Sequence, residues 1–147
     1  MIQELYQKSL MRLAANATGA GTLSAPNATL TLDNPTCGDR VTLQVRLEDG
    51  RIMELAHDNK ACMLCQASAS LLGEHAVGLT LEDIDRVRAA LLALLEKGEE
   101  QDGDIDLPWE GLEFFAPVKD HKSRHICVLL PFNALIEILE TQTEQQE

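Results

Sequence analysis

The chain is poor in aromatic residues (3%), poor in cations and without a long apolar run. Its 12 Lys and Arg stand against 24 Asp and Glu, a formal charge of −12. Each shortage excludes something. A field of that sign repels phosphate backbones, which argues against nucleic acid as a partner and suits a basic protein surface. No stretch approaches the roughly 20 apolar residues a membrane span needs. The N-terminal "MIQELYQKSLMRLAANATG" lacks the continuous apolar segment of a signal peptide, so a cytoplasmic location is expected. In that compartment thiols stay reduced, and spaced cysteines point to metal or redox chemistry more than to disulfides. There are four of them, Cys37, Cys62, Cys65 and Cys127.

What is present reads as one domain of 147 residues, with 45% apolar residues and room for a core of its own. Ile2, Leu5, Tyr6, Leu10 and Leu13 recur at helical spacing, and "NATGAGTLSAPN" interrupts them. "ATLTLDN" reads as a strand that ends at the Asn34-Pro35 turn. "RVTLQVRL" and "RIMELAH" flank Glu48-Asp49-Gly50 and make a hairpin. The second half is helical. An Ala/Ser-rich helix follows Cys62, and Thr80 caps "LEDIDRVRAALLALLEK", whose stripe is Ile84, Val87, Leu91, Leu94 and Leu95. Residues 98–116 read as an inserted acidic loop in which Trp109 serves as an anchor, and 141–147 as a frayed tail. The expected fold class is α+β, a small three-stranded antiparallel sheet with its helices packed on one face.

The thiols sit at junctions. Cys37 lies in a turn between two strands, with Asp39 two residues on, so a locally extended chain would present thiolate and carboxylate on one side. Cys62 stands where the third strand gives way to a helix, and a helix N-terminus favours a thiolate. Pro131 has no N–H to offer the Cys127 carbonyl, so Cys127 belongs at or before the first turn of its helix. Two thiols at helix starts and one on a strand turn suggest a site built from loops at one end of a sheet. Spacing alone leaves two readings open: each cysteine is a small buried hydrophobe, or the set binds metal.

Three segments carry a resemblance. "NPTCGD", "ACMLCQASAS" and "SRHICVLLPFNAL" are similar to the ligand motifs N-P-x-C-G-D, G-C-x-x-S-x-A-S-x-S and R-x-x-C-x-x-L-x-W of the IscU/NifU N-terminal-like iron–sulfur cluster scaffolds. The long insert resembles the SufU branch. The resemblance implies Cys37, Asp39, Cys62 and Cys127 as ligands for iron or a [2Fe–2S] cluster, or for Zn²⁺. It also implies a cysteine desulfurase as sulfur donor and acceptor apo-proteins as recipients, with no nucleic acid or membrane involved; it leaves the oligomeric state open. The rival readings use the same residues: a zinc-dependent sulfurtransferase or a structural zinc module. Cys127 is the candidate persulfide acceptor, since it sits at a helix start after a polar segment.

The chain departs from the family in several places. Cys65 replaces the usual serine and has three possible roles: accessory ligand, resolving thiol for a persulfide, or packing. "NKAC" replaces a glycine-rich approach, which should stiffen it. Ile126 stands where one branch has histidine, so His125 is expected to be structural or exposed. Pro117-Val118-Lys119 echoes a chaperone-recognition motif at the wrong distance from Cys127. "RLAANATGAG" replaces the family's D-H-x-x-N-P-R segment. Ser68, Ser70 and His75 lack the nucleophile elbow of a hydrolase, and Asp102, Asp104 and Asp106 lack the rest of a calcium loop.

Overall fold

The computed structural model describes residues 2–35, 38–97 and 107–145. Helix α1 (Ile2–Asn16) leads into strands β1 (Ala28–Asn34), β2 (Asp39–Glu48) and β3 (Arg51–Lys60). Then come α2 (Met63–His75), α3 (Leu81–Lys97), two 3₁₀ segments (Leu112–Asp120 and Lys122–Arg124) and α4 (His125–Gln145). The strands form one antiparallel sheet in the order β1-β2-β3.

Alternation fixes which face of the sheet is buried. Leu32 pairs with Val41, Leu30 with Leu43 and Ala28 with Val45. Val41, Leu43 and Val45 are fully buried, and each side chain of this kind contributes about 1.5–3 kcal/mol by leaving water. The opposite face carries Thr31 and Thr42, whose hydroxyls meet at 2.8 Å. The β2–β3 turn has φ 53° at Asp49 and 77° at Gly50. This double left-handed geometry matches the twist of a two-residue hairpin and favours glycine. α4 lies across β1 and β2, and α2 adjoins β3 and packs on α1 and α4.

The sheet and helices expected from the sequence are present, with four adjustments. β3 runs to Lys60, so "NK" is strand and Ala61 alone separates it from Cys62; the glycine-poor approach to the second cysteine is stiff because it is hydrogen-bonded sheet. α4 continues through Gln145, because no proline or glycine stops it after Glu140; the expected frayed tail is helical over most of its length. The insert ends sooner than expected. Residues 98–106 lie outside the described residues, and residues 112–116 open a 3₁₀ segment that buries Leu112 and Phe115. On α1, Leu10 and Leu13 enter the core, whereas Leu5 is 61% exposed.

Trp109 does anchor the segment before the 3₁₀ turn: it stacks on His75 with ring centroids 5.0 Å apart and lies 5.8 Å from Phe132. No helix among the described residues is long and apolar enough to cross a membrane.

Candidate metal centre

Three junctions converge at one end of the sheet. The first is the β1–β2 turn, where Asn34 and Asp39 are register partners on the inward phase of their strands. Both side chains are buried, Asn34 at 1% and Asp39 at 4% exposure. The second is the start of α2. Cys62 is its N-cap, with extended backbone (φ −67°, ψ 165°), and its carbonyl accepts the first helical hydrogen bond from Gln66 N–H at 3.0 Å. The third is the start of α4, where Cys127 is the third residue, within the first turn, as Pro131 requires.

The ligand-type atoms of Asp39, Cys62 and Cys127 lie within 4.8 Å of one another. The Asp39 carboxylate accepts the Cys62 backbone N–H at 2.9 Å, and its other oxygen lies 3.4 Å from Cys62 Sγ. A sulfur and an oxygen on one tetrahedral Zn²⁺ stand about 3.5 Å apart, given bond lengths near 2.3 and 2.0 Å. The 3.4 Å contact is a thiol–carboxylate hydrogen bond in this structure, and its length also fits a shared ion. Two soft sulfurs with one hard oxygen also suit zinc or an iron–sulfur unit.

Cys37 lies outside the described residues. In the sequence it stands two residues after Pro35 and two before Asp39; Gly38 has φ 78° and a backbone N–H bonded to Asn34 O at 2.8 Å. Cys65 is fully buried on α2 within the hydrophobic core and is outside the three-atom group. Cys127 Sγ is also fully buried, while Cys62 is half-buried.

Asn34 is the residue that sequence reasoning passed over. Its side-chain amide donates toward Cys127 Sγ at 3.9 Å, tying the strand end to the α4 thiol. The signal was present: Asn34 continues the inward phase of Ala28, Leu30 and Leu32, so a polar side chain there faces the core and needs a partner. The tempting hydrolase residues are structural. Ser68 Oγ donates to Val128 O at 2.6 Å and fastens α2 to α4 close to the site, and Ser70 Oγ accepts the Thr18 N–H at 3.0 Å. His125 Nε2 bonds the carbonyls of Val118 and Lys119 and is thus held away from a ligand role.

Comparison with known proteins decides the family: the profile of the NifU-like N-terminal domain matches residues 5–127. The chain belongs to that family. It is 25% identical over 92% of its length to the iron–sulfur cluster assembly scaffold protein IscU of Thermotoga maritima, covering 93% of that protein. It is 26% identical over 91% of its length to the zinc-dependent sulfurtransferase SufU of Bacillus subtilis, covering 88% of it. Among solved structures, a NifU-like N-terminal protein from Brucella abortus superposes with a TM-score of 0.84 at 30% identity, over 98% of both chains. The NifU-like fold thus accounts for 98% of the chain.

Proposed function

We propose that this NifU-like chain is an iron–sulfur cluster assembly scaffold, folded as a single domain and working in the cytoplasm. The observation that carries the reading is the convergence of Asp39, Cys62 and Cys127 within 4.8 Å, with an Asp39–Cys62 contact whose length also fits a shared metal. Cys37, two residues before Asp39, completes a set of three thiolates and one carboxylate. The set would hold iron or a [2Fe–2S] cluster as cargo, or Zn²⁺. When bound, the metal keeps the thiolates deprotonated and close together. The residues of the chain do the rest: Asn34 and the α2 N-terminus orient the sulfurs, and burial excludes water.

A carboxylate in place of a fourth thiolate weakens the grip on the cluster, which suits a protein that passes its cargo to acceptor apo-proteins. Sulfur would come from a cysteine desulfurase, whose contact surface must tolerate the −12 charge of this chain. Cys127 was the expected sulfur acceptor. Its full burial weighs against direct delivery by a partner protein, and half-buried Cys62 is the described thiol that such a partner reaches first.

The similarity to SufU supports a second reading, a zinc-dependent sulfurtransferase using the same residues. Metal and acid-labile sulfide analysis of protein purified without air separates the two. Iron with sulfide, lost in Cys37→Ser, supports the scaffold. About one zinc per chain without sulfide supports the sulfurtransferase. Absence of both iron and zinc refutes the ligand set.

A further inference from the structure

Cys65 is a buried nucleophile that the metal-holding reading does not use. Its neighbour one helical turn back is the thiol of Cys62. Cys62 is the N-cap of α2 and Cys65 is the third helical residue, and the Gln66 N–H···O=C Cys62 bond closes the first turn around both. Side chains three residues apart on a turn are neighbours, about 5–6 Å between Cβ atoms. The Cys62 side chain makes no capping hydrogen bond and its Sγ lies 3.4 Å from the Asp39 carboxylate, so a rotation about its Cα–Cβ bond would bring it over Cys65. A disulfide tolerates Cα separations of about 4.4–6.8 Å, which one turn satisfies.

Exposure divides the labour between the two. Cys62 is half-buried at the rim of the site, and Cys65 is 0% exposed beneath it. Sulfur delivered by another protein reaches the first thiol and is screened from the second.

Building on the sulfur-accepting reading above, we propose that Cys62 and Cys65 form a dithiol that reduces incoming persulfide sulfur to sulfide. The sulfur of a persulfide is sulfane sulfur, two electrons more oxidised than the sulfide of a cluster. In the reaction the Cys65 thiol attacks Cys62 Sγ of the Cys62 persulfide. A Cys62–Cys65 S–S bond forms and the bond from Cys62 Sγ to the terminal sulfur breaks. The terminal sulfur leaves with the bonding pair and takes up the proton given up by Cys65, departing as hydrogen sulfide. The two thiols lose two electrons and the sulfane sulfur gains them, so the step needs no outside oxidant or reductant. A second dithiol of the thioredoxin class, or two equivalents of a small thiol, then reduces the disulfide and resets the pair.

Cys127 Sγ lies within 4.8 Å of Cys62 Sγ. A bridge between them would remove two members of the ligand group at once, whereas a Cys62–Cys65 bridge removes Cys62 alone and leaves Asp39 and Cys127 in place.

The test charges the full chain without air using glutathione persulfide, removes the excess, and adds no reductant. Free sulfide is measured and the cysteines are mapped by mass spectrometry. The wild-type chain should release about one sulfide per chain and carry a Cys62–Cys65 bridge. Cys65→Ser should retain an extra sulfur on Cys62 and release at least about tenfold less sulfide. Cys65→Ala, with no buried hydroxyl, repeats the comparison should the serine variant fold poorly.

A wild-type chain that holds a stable persulfide and releases no sulfide overturns this proposal alone. So does a bridge that maps to Cys62–Cys127. Failure of every form to take up sulfur overturns the sulfur-accepting reading together with it.

Discussion

Replacing Gly73 by alanine is the sharpest test of how α2 is held. In an isolated helix the change would stabilise by about 1 kcal/mol. Here a Cβ at position 73 would lie 2.0 Å from Thr18 O and 2.6 Å from Thr18 C, both backbone atoms. The loop after α1 would have to move, and three hydrogen bonds hold its Thr18–Gly19 backbone in place. Thr18 N–H donates to Ser70 Oγ at 3.0 Å, His57 Nε2 bonds Thr18 O at 2.8 Å, and His57 N–H donates to Gly19 O at 2.9 Å. At about 1 kcal/mol each, their loss outweighs the propensity gain and leaves a net destabilisation near 2 kcal/mol. For a chain of this size that lowers Tm by roughly 4–8 °C. Urea unfolding followed by far-UV circular dichroism reads it directly. Gly50→Ala provides the control: no atom lies within 4 Å of its would-be Cβ, so only the left-handed backbone costs, about 1–2 kcal/mol. A Gly73→Ala chain as stable as wild type would refute the argument that the Thr18 loop is clamped against α2.

Three more expectations follow from the same structure. Asp39→Ala should lengthen the lifetime of a bound [2Fe–2S] cluster, read as slower decay of its visible absorption; faster decay would count against a role for the carboxylate in release. Burial holds the His57 imidazole below its usual 6.5, against the opposing pull of the Thr18 carbonyl and of Asp58. The unfolded chain therefore binds the extra proton first. The contribution is complete above about pH 6.5 and is lost as pH falls through the lower folded-state value. His57→Gln should flatten that acid-side loss in urea midpoints; an unchanged pH profile would sink the assignment. Trp109→Ala removes the stack on His75 and the contact with Phe132. It should cost about 3–5 kcal/mol, and a loss below 1 kcal/mol on chemical denaturation would mean that the segment is not anchored there.

The fold was legible where local rules and the core agree. Strict alternation in "ATLTLDN" and "RVTLQVRL" can satisfy a buried face only as strands, and the stripe from Ile84 to Leu95 only as a helix. Pro131 placed Cys127 in a first turn because a missing N–H acts within four residues. The cysteine motifs pointed to the family. What local rules could not reach depended on distant contacts. Nothing near "NK" shows that β3 extends to Lys60, since its partners are Arg40 and Val41 across the sheet. The alternation of β1 turns Asn34 inward, but its partner Cys127 lies 93 positions along the chain and comes to it only with α4. The sequence by itself determined which elements form and where on them Asp39 and the cysteines fall, because hydrophobic period, proline and turn chemistry act over a few residues. Only the tertiary structure decided that three helix and strand ends meet within 4.8 Å, that Cys62 stays accessible, and that Cys65 is sealed beneath it. Burial and proximity arise from the packing of elements far apart in sequence, and no local pattern encodes them.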